Sequence, residues 1–558
     1  MSTSRWAKVP VGPHSRRWNT VPIERTVLVV VHTVTALNRL NDLLTVFDSD
    51  RRVQLVCTVP GTSAVSAGVE EELAGAGAVV LPWQQAIMTE FDLALSVHNS
   101  GNLHDIVAPL AVLSHGIGYS KYLARKAESG KRKAESGKRI VYGLSDQSLV
   151  RDGVVVPSAI VLSHVAELDR LAEAVPEAVP AAVVAGDPCY DRLIASLPAR
   201  SRYRENLGAD ERATVVFVSS TWGPNSLFGR SPELISGLLA ELDLDHHVVC
   251  AALHPNVWYA HGPAQIRLWL ADCLRAGLRL VPPAAGWQQA LLAADVVVGD
   301  HGAVTGYAAA LGLPTLLATF PEDDVVARSA IGALGRSAPR LDPRRPLRPQ
   351  LRSAMASPPS HQSVRDLTTS VPGDSARLLR TAFYRLMNLP EPDTGPVLPT
   401  YDAAALTPLH ADVEAWWAHT HESAGQLRLS RRPADVTPPP GSPTESLDRH
   451  LVVAAGHPRH DLYGLAAVVV VRQDGSTPAD VFADRPACRL VVQRREHGRC
   501  QVFTRDGASA DVRVAEPGPV DATVYASALV AAGHGLPSRV VVVLGSHATT
   551  LDLDATSG

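Results

Sequence analysis

The stretch AADVVVGDHGAVTGYAAALGLPTLLA, residues 293–318, indicates the class of fold. Residues 294–299 are short, apolar and rich in valine, which predicts a buried strand. Residues 303–311 are small and predict a helix that ends at Gly312, and Pro314 opens another apolar run. The order is therefore strand, turn, helix, strand, with an Asp-His-Gly cluster at the carboxyl end of the first strand. In open parallel α/β sheets, this is the edge at which ligands bind.

The same alternation extends outward through most of the chain. Short apolar runs alternate with amphipathic segments, which predicts an α/β fold of two Rossmann-like domains facing a cleft. The predicted strands are 26–31, 53–59, 78–82, 93–97, 111–114, 160–162, 181–184, 214–218, 247–253, 278–281 and 294–299.

Composition shifts divide the chain into five segments. We expect a helix at 376–388 to cross back from the second Rossmann-like domain to the first. The last segment carries no motif associated with chemistry. The predicted segments are an N-terminal tail (1–24), a first Rossmann-like domain (25–160), a second Rossmann-like domain (161–389), a Pro-rich linker (390–448) and a small α/β domain (449–558).

The bulk composition narrows the class of protein. The chain has 558 residues, 46% apolar residues and a net charge of −4, so it can bury several cores and offers no global charge for nucleic acid. Its six cysteines form no CxxC pair, and we interpret them as reduced core residues. The N-terminus lacks the apolar segment of a signal peptide, and no apolar run is long enough to span a membrane. These features predict a cytoplasmic protein.

Residues 121–139 form a strongly basic segment. The heptad KAESGKR occurs twice in tandem, at 126–132 and 133–139, and the segment holds eight basic and two acidic residues. One interpretation is an insertion tolerated on the surface. The other is an electrostatic contact with a polyanionic acceptor, or peripheral contact with the inner face of the cell membrane.

Polar residues recur where predicted strands end. Because the carboxyl ends of parallel strands share one edge of a sheet, this recurrence predicts a functional site. The residues are His32, His98, Asn99, Ser100, His115, Gly116, Ser220, Thr221, Trp222, His254, Pro255, Asp300, His301 and Gly302.

The turn at 302–305 is predicted to bind a phosphate or diphosphate. It presents free amides at a helix N-terminus, Gly302 lets a ligand approach the backbone, and the Thr305 hydroxyl adds a donor. His254 is a candidate second phosphate contact or acid. His115, from the opposite domain, is a candidate general base for an acceptor hydroxyl, since an ordinary imidazole titrates near pH ~6.5.

Five short motifs, in order over about 115–320, resemble the CDP-glycerol glycerophosphotransferase family, the polymerases of teichoic acid synthesis, which have the two-domain GT-B architecture. The family's His-Gly-Thr, Gly-x-Pro-Arg-x-Asp, Pro-Thr-Trp, His-Pro and Asp-Tyr-Ser-Ser motifs correspond in turn to His115-Gly116-Ile117, Gly186-Asp187-Pro188-Cys189-Tyr190-Asp191, Ser220-Thr221-Trp222, His254-Pro255 and Asp300-His301-Gly302-Ala303. The chain departs from the family at Ile117, Cys189 and Gly302-Ala303.

The resemblance implies a transferase that moves a polyol phosphate, such as glycerol phosphate, from a CDP-activated donor to a cell-envelope polymer or lipid acceptor. It implies no cofactor and no metal ion, because amides and histidines would neutralise the diphosphate. His115 and His254 would be catalytic. The donor diphosphate would be held by Gly186, Ser220, Thr221, Asp300, His301, Gly302, Ala303 and Thr305.

Two alternatives remain open at this stage. A nucleotide-sugar glycosyltransferase would use the same turn but release a nucleoside diphosphate. A catalytically retired nucleotide-binding or scaffold protein would keep the fold without the reaction, and the loss of the family's Ser-Ser at Gly302-Ala303 favours it.

Overall fold

A computed structural model describes most of the chain in three domains. Within it, no helix is long and apolar enough to cross a bilayer. Ser100, His115 and residues 124–138, which hold all but the last residue of the two heptads, lie outside the described residues. The described residues are 6–7, 11–12, 17, 19–61, 66, 68–99, 101–114, 116–123, 139–437, 449–473, 476–496, 498–515, 520–531 and 535–556.

The first domain is built on a seven-stranded parallel sheet of order β3-β2-β1-β4-β5-β8-β9. Strands β6 and β7 form a separate small hairpin. The strands are β1 Arg25–Val30, β2 Val53–Val59, β3 Val80–Pro82, β4 Leu93–Ser96, β5 Leu110–Val112, β6 Val150–Arg151, β7 Val154–Val155, β8 Ala159–Leu162 and β9 Ala182–Val184. The helices are α1 Val34–Leu43, α2 Val69–Gly75, α3 Trp83–Ile87, α4 Asp146–Leu149 and α5 Val165–Ala174.

The first domain extends further than the sequence analysis placed it. The expected boundary was residue 160, but β8 pairs with β5, and β9 pairs with β8, in the same sheet. Because β8 and β9 are short, the residue composition near residue 160 does not mark where the domain ends. The chain leaves the first sheet only after Val184.

The second domain carries a five-stranded parallel sheet of order β12-β11-β10-β13-β14. The stretch at 293–318 forms strand β13, helix α14 and strand β14, as predicted. The strands are β10 Thr214–Ser220, β11 His247–Leu253, β12 Arg279–Val281, β13 Val296–Gly299 and β14 Thr315–Leu317. The helices are α6 Pro188–Ser196, α7 Arg200–Asn206, α8 Leu227–Arg230, α9 Leu234–Glu241, α10 Pro255–His261, α11 Pro263–Trp269, α12 Ala271–Arg275, α13 Trp287–Ala293, α14 Ala303–Ala310, α15 Ala330–Ser337, α16 Leu347–Ala356 and α17 Gln362–Thr368.

Helix α18, Ser375–Leu386, crosses back to the first domain, which confirms the sequence-based prediction. Phe383 is fully buried in the first domain's core. The Tyr384 hydroxyl donates to an Asp50 carboxylate oxygen at 2.7 Å, and the Arg25 side chain donates to the Met387 carbonyl at 2.6 Å. Two Rossmann-like domains with a returning C-terminal helix form a GT-B fold.

The third domain is a closed nine-stranded sheet of order β15-β16-β22-β23-β21-β20-β19-β18-β17. Helices α19 and α20 connect three parallel strands, and the remaining pairs are mostly antiparallel. The strands are β15 Ala415–Ser423, β16 Gln426–Pro433, β17 Arg449–Ala454, β18 Val468–Val471, β19 Leu490–Arg494, β20 Arg499–Thr504, β21 Ser509–Val514, β22 Arg539–Leu544 and β23 His547–Ala555. The helices are α19 His460–Leu465, α20 Pro478–Asp484 and α21 Ala522–Ala526.

The third domain begins inside the predicted linker. Residues 390–448 were expected to be a Pro-rich linker, yet β15 and β16 form a hairpin whose members pair with β17 and β22. The prolines of this segment lie mostly before β15 and after β16, at 390–408 and 438–443, and only Pro433 falls within the hairpin. In β15 and β16, apolar residues alternate with histidine and arginine. The average composition of these strands is therefore as polar as that of a linker.

The closed sheet is fixed to the second domain by ion pairs whose carboxylates are buried. The Arg431 guanidinium lies 2.7 Å from Asp245, and Arg275 lies 2.7 Å from Asp435. The Leu244 amide donates to the Arg431 carbonyl at 2.9 Å. The third domain is therefore docked against the second domain.

Candidate functional site

A cavity lies between the first two domains, at the carboxyl ends of both sheets. In parallel α/β sheets, ligands bind at this edge. Its wall includes Thr35, Asn38, Arg39, Asp42, His98, Asn99, Ser114, 116–121, Tyr142, Cys189, 219–221, 252–255, Trp287, 302–304 and Tyr307.

Asp300 holds the second domain's side of this cavity together from behind. Its carboxylate is fully buried and accepts backbone amides of Thr221 at 2.9 Å, Leu227 at 2.8 Å and Gly302 at 2.9 Å. Burial raises the pKa of this carboxyl, while these hydrogen bonds and Lys121 act in the opposite direction. Asp300 was predicted to touch the diphosphate, but in the structure it positions the loops that line the cavity.

The first turn of α14 faces the cavity through Gly302, Ala303 and Val304. The Gly302 amide is engaged by Asp300, whereas amides in the first turn of a helix have no acceptor within the helix. A Cβ on Gly116 would lie 3.2 Å from the Ala303 Cβ, so the first domain reaches this turn closely. The first-turn amides at the cavity wall are therefore those of Ala303 and Val304, which follow the Gly302 amide that Asp300 engages.

Two residues of the predicted diphosphate site point elsewhere. Thr305 is fully buried, and its hydroxyl accepts the Asp300 amide at 3.3 Å. A Cβ on Gly299 would lie 2.2 Å from that hydroxyl, which shows how tightly it packs on β13. His301 is buried outside the cavity wall, and burial together with Lys121 lowers its pKa to about 3. His301 is therefore neutral at pH 7.

His254 presents one ring nitrogen to the cavity. Its Nδ1 accepts the Asn256 amide at 3.1 Å and so caps α10. In the neutral ring the hydrogen then resides on Nε2, which lies 3.5 Å from the Thr35 hydroxyl of the first domain. The Trp222 ring centre is 6.4 Å from the His254 ring. This arrangement makes Nε2 a hydrogen-bond donor at the cleft.

Ser220 and Thr221 end β10 at the cavity wall. The Ser220 hydroxyl donates to the Thr221 carbonyl at 2.9 Å and accepts the Phe228 amide at 2.9 Å, so it shapes the turn. Thr221 is buried, and its side chain packs beside Gly302.

Lys121 is a cavity residue that the sequence analysis assigned to the basic segment. Its backbone forms an antiparallel bridge with Val325 of the second domain, which fixes its position across the cleft. Burial lowers the pKa of its half-buried ammonium, and the charges of Asp300 and Asp324 oppose this shift. The bridge partner is about 200 residues away in the chain, so no local pattern could reveal this role.

The floor of the cavity is a buried ion network across the domain junction. Arg39 donates to Asp187 at 2.8 Å, and the Tyr307 hydroxyl donates to the other Asp187 oxygen at 2.8 Å. Gly186, with φ +80°, turns the chain into this junction, and a Cβ there would lie 2.9 Å from the Thr369 hydroxyl. Gly186 therefore forms a tight turn beside the cavity and does not line it.

The strand-end histidines of the first domain are stacked. His32 and His98 have ring centres 4.9 Å apart, and His98 Nε2 lies 2.6 Å from the Tyr142 hydroxyl. His98 lines the cavity, whereas His32 is buried beneath it.

The loop that follows β5 docks into the second domain. Ile117 is 2% exposed and belongs to the second domain's core, where a Cβ on Gly306 would lie 3.2 Å from it. Glu167 secures the loop by accepting the Tyr119 amide at 2.9 Å. His115 lies outside the described residues, but its neighbours Ser114 and Gly116 both line the cavity.

Comparisons with known proteins give likenesses of fold. Neither family models nor curated proteins match this chain. The wall teichoic acid polymerase TagF, a protein of the type that the motifs resemble, is similar over 65% of this chain and 89% of its own, at 9% identity and a TM-score of 0.44. A co-structure of S. aureus MnaA with UDP covers 67% of this chain and 100% of its own, at 10% identity and a TM-score of 0.39. The UDP-N-acetylglucosamine 2-epimerase from Rickettsia bellii covers 65% and 96%, at 14% identity and a TM-score of 0.37. At these identities and TM-scores, none assigns an activity to this chain.

Proposed function

We propose that this chain is a transferase that moves a polyol phosphate from a CDP-activated donor to a polymer or lipid-linked acceptor. The observation that carries the proposal is the meeting, on one cavity, of the first turn of α14, the Lys121 ammonium and the Nε2 of His254. These groups come from both domains, so a ligand that bridges them would bind the closed cleft.

The charges around the cavity suit a diphosphate. A helix N-terminus is equivalent to about half a positive charge, and Lys121 adds a full one when protonated. An anion beside Lys121 would raise the depressed pKa of that ammonium and favour its charged form. The Asp300 carboxylate lies behind the turn, where three amides already engage it.

His254 would stabilise charge on the departing phosphate. Its Nδ1 is committed to the Asn256 amide, so the neutral ring has a hydrogen only on Nε2. That hydrogen can be donated to a phosphate oxygen whose charge grows as the bond breaks. The role is that of a donor or acid, and it leaves the task of a base to another residue.

His115 would act as that base. In the proposed step, an acceptor hydroxyl attacks the phosphorus that bears the polyol. The new P–O bond forms as the bond to the bridging oxygen breaks, CMP departs with that electron pair, and the hydroxyl proton passes to His115. Support comes from the position of Ser114 and Gly116 on the cavity wall.

The test is nucleotide release. The protein is incubated with CDP-glycerol, CDP-ribitol and a panel of UDP- and GDP-sugars, together with a short polyol-phosphate acceptor, and the products are identified by mass spectrometry. CMP from a CDP-polyol, lost in His115→Ala, is the expected result. His104→Ala, a half-exposed histidine outside the cavity wall, is the matched control and should retain activity.

Other products would decide between the alternatives. UDP or GDP from a sugar donor would replace the proposal with glycosyl transfer on the same cleft. Binding of CDP without turnover of any donor would contradict the proposal and favour a retired nucleotide-binding protein.

A further inference from the structure

One side of helix α1 turns hydrogen-bonding side chains towards the cavity between the first two domains. Thr35, Asn38, Arg39 and Asp42 all belong to the cavity wall. They follow one another at spacings of three, one and three residues, which places them on one side of the helix. The apolar residues of α1 pack into the first domain's core instead. We call Thr35, Asn38, Arg39 and Asp42 the polar face of α1.

The Asp42 carboxyl group has one oxygen left for a ligand. Its side chain is 2% exposed, and Oδ1 accepts from the Arg192 guanidinium at 3.1 Å and from the Tyr401 hydroxyl at 3.0 Å. Neither of these partners belongs to the cavity wall, whereas Asp42 does. Oδ2 accepts no hydrogen bond from any described residue. Because Oδ1 is turned away from the cavity, Oδ2 is the oxygen on the cavity side.

Asn38 and Arg39 have donors that no described residue uses. Asn38 is half-buried in the cavity wall, and its side-chain amide makes no hydrogen bond with a described residue. Arg39 Nη1 donates to Asp187 at 2.8 Å, while its buried Nε has no partner within the described part of the chain. Thr35 adds a hydroxyl, 3.5 Å from the Nε2 of His254. The polar face therefore offers donors and an acceptor side by side.

The charges of the polar face have partners within the protein. Arg39 pairs with Asp187 at 2.8 Å, and Asp42 pairs with Arg192 at 3.1 Å. Burial raises the pKa of the Asp42 carboxyl, and the charges of Arg39 and Arg192 act in the opposite direction. A carboxyl oxygen accepts a hydrogen bond from a hydroxyl in both protonation states. The face therefore suits a neutral group with several hydroxyls better than a second phosphate or a cation.

We propose that the polar face of α1 binds the vicinal hydroxyls of a polyol phosphate and so selects it over an alkyl phosphate. The choice of a polyol rests on the proposed function. Residues four apart on a helix have Cβ atoms about 5–6 Å apart, so Asn38 and Asp42 can reach hydroxyls on neighbouring carbons. One hydroxyl would donate to the Oδ2 of Asp42, and the next would accept from the Asn38 amide. The first turn of α14, on the second domain's side of the cavity, is left for the phosphates.

The groups without described partners would supply the selectivity. A polyol gives the Asn38 amide and the Asp42 Oδ2 hydrogen-bond partners, whereas an alkyl chain of the same length would cover both groups and leave them unpaired. A site built to bind a hydroxyl rejects the analogue that lacks it far more strongly than an apolar pocket rejects an added hydroxyl. A lipid chain is disfavoured at this face for the same reason.

The test compares the binding of CDP-glycerol with that of CDP-propanol, whose propyl chain has no free hydroxyl, by calorimetry on the full chain without an acceptor. Asn38→Ala removes an amide that has no described partner, so the ion pairs of the cavity floor stay in place. Asp42→Asn replaces a carboxyl oxygen by a donor. Asn41→Ala is the matched control, since Asn41 is exposed on the same helix and lies outside the cavity wall.

A second pair of ligands separates the transferred polyol from the terminal polyol of an acceptor. With CDP present at a saturating concentration, binding of glycerol 3-phosphate is compared with that of propyl phosphate. A preference within the donor pair that depends on Asn38 assigns the transferred polyol to the polar face. A preference within the second pair alone assigns the end of the acceptor.

The expected result is that the wild-type chain binds the polyol of one pair about tenfold more tightly than its propyl counterpart. Asn38→Ala and Asp42→Asn should reduce this ratio about threefold or more by weakening the polyol ligand alone, and Asn41→Ala should keep it within about 1.5-fold. Equal weakening of both ligands would show a merely structural role and overturn the inference. So would the absence of any preference in the wild-type chain, or equal changes in Asn38→Ala and Asn41→Ala.

The outcome is separable from the proposed function. A preference for the polyol that is lost in Asn38→Ala, with no CMP released from any donor, would refute the transfer reaction alone. Release of CMP at equal rates from CDP-glycerol and CDP-propanol, with no preference in binding, would refute this inference alone.

Discussion

Lys121 is the ammonium group that the first domain contributes to the cleft. We expect Lys121→Met to weaken CDP binding about 10- to 100-fold, because a charge-assisted hydrogen bond contributes about 1.5–3 kcal/mol. Lys121→Arg keeps the charge and should lose much less. Calorimetric titration with CDP measures both variants, and equal affinities for wild type and Lys121→Met would contradict the role.

His301 makes stability depend on pH. Its pKa is about 3 in the folded chain and about 6.5 when unfolded. Below pH ~6.5 the unfolded chain binds a proton at His301, whereas the folded chain does not. The contribution of neutral His301 to the free energy of unfolding is therefore complete above that pH and is lost as the pH falls towards 3. The His301→Gln variant lacks this pH-dependent contribution to the free energy of unfolding. The difference in unfolding free energy between wild type and variant should shift by about 1 kcal/mol per pH unit between pH ~6 and ~4. A constant difference in urea titrations would refute this.

For single residues, the sequence predicts where a side chain lies better than it predicts the direction in which that side chain points. The Asp-His-Gly cluster does follow β13 at the ligand edge of the sheet. Which side chains enter the cavity depends on partners distant in the chain, since Asp300 turns towards the amides of Thr221 and Leu227. Those contacts arise from the order of strands in the sheet, and no local spacing records them.

Helix α18 belongs to the second half of the chain yet completes the first domain's core. Phe383 is 0% exposed there, so Phe383→Ala should destabilise the first domain by about 3–5 kcal/mol. Arg385→Ala, at an exposed position on the same helix, should change stability little. Scanning calorimetry should show a lowered unfolding temperature for Phe383→Ala only, and an unchanged profile would mean that Phe383 does not stabilise this core.

Elements with a clean hydrophobic period are predictable from sequence, and the others are not. The valine run of β13 and the amphipathic pattern of α18 appear where predicted. The hairpin of β15 and β16 does not, because histidine and arginine fill its outward positions and a proline cluster follows it.

The whole molecule is held closed by contacts across the cleft. Ile117 inserts into the second domain's core, and the Tyr122 amide donates to the Asp324 carbonyl at 3.0 Å. Ile117→Ala should remove about 2–5 kcal/mol of the free energy that stabilises this contact, and so shift the population towards open forms. Small-angle scattering should show a larger radius of gyration without ligand, reversed by CDP. Ile194→Ala, at an exposed position, is the control, and identical scattering from both variants would show that Ile117 does not hold the cleft closed.

The pairing at the base of the basic segment has a practical consequence. Tyr122 bridges Val141, and the Leu123 amide donates to the Ile140 carbonyl at 2.9 Å. The described residues on the two sides of 124–138 are therefore paired with each other, which explains how a tandem copy of seven residues could be accommodated between them. A reporter peptide or affinity tag inserted between the heptads should therefore leave the cavity between the first two domains unaltered.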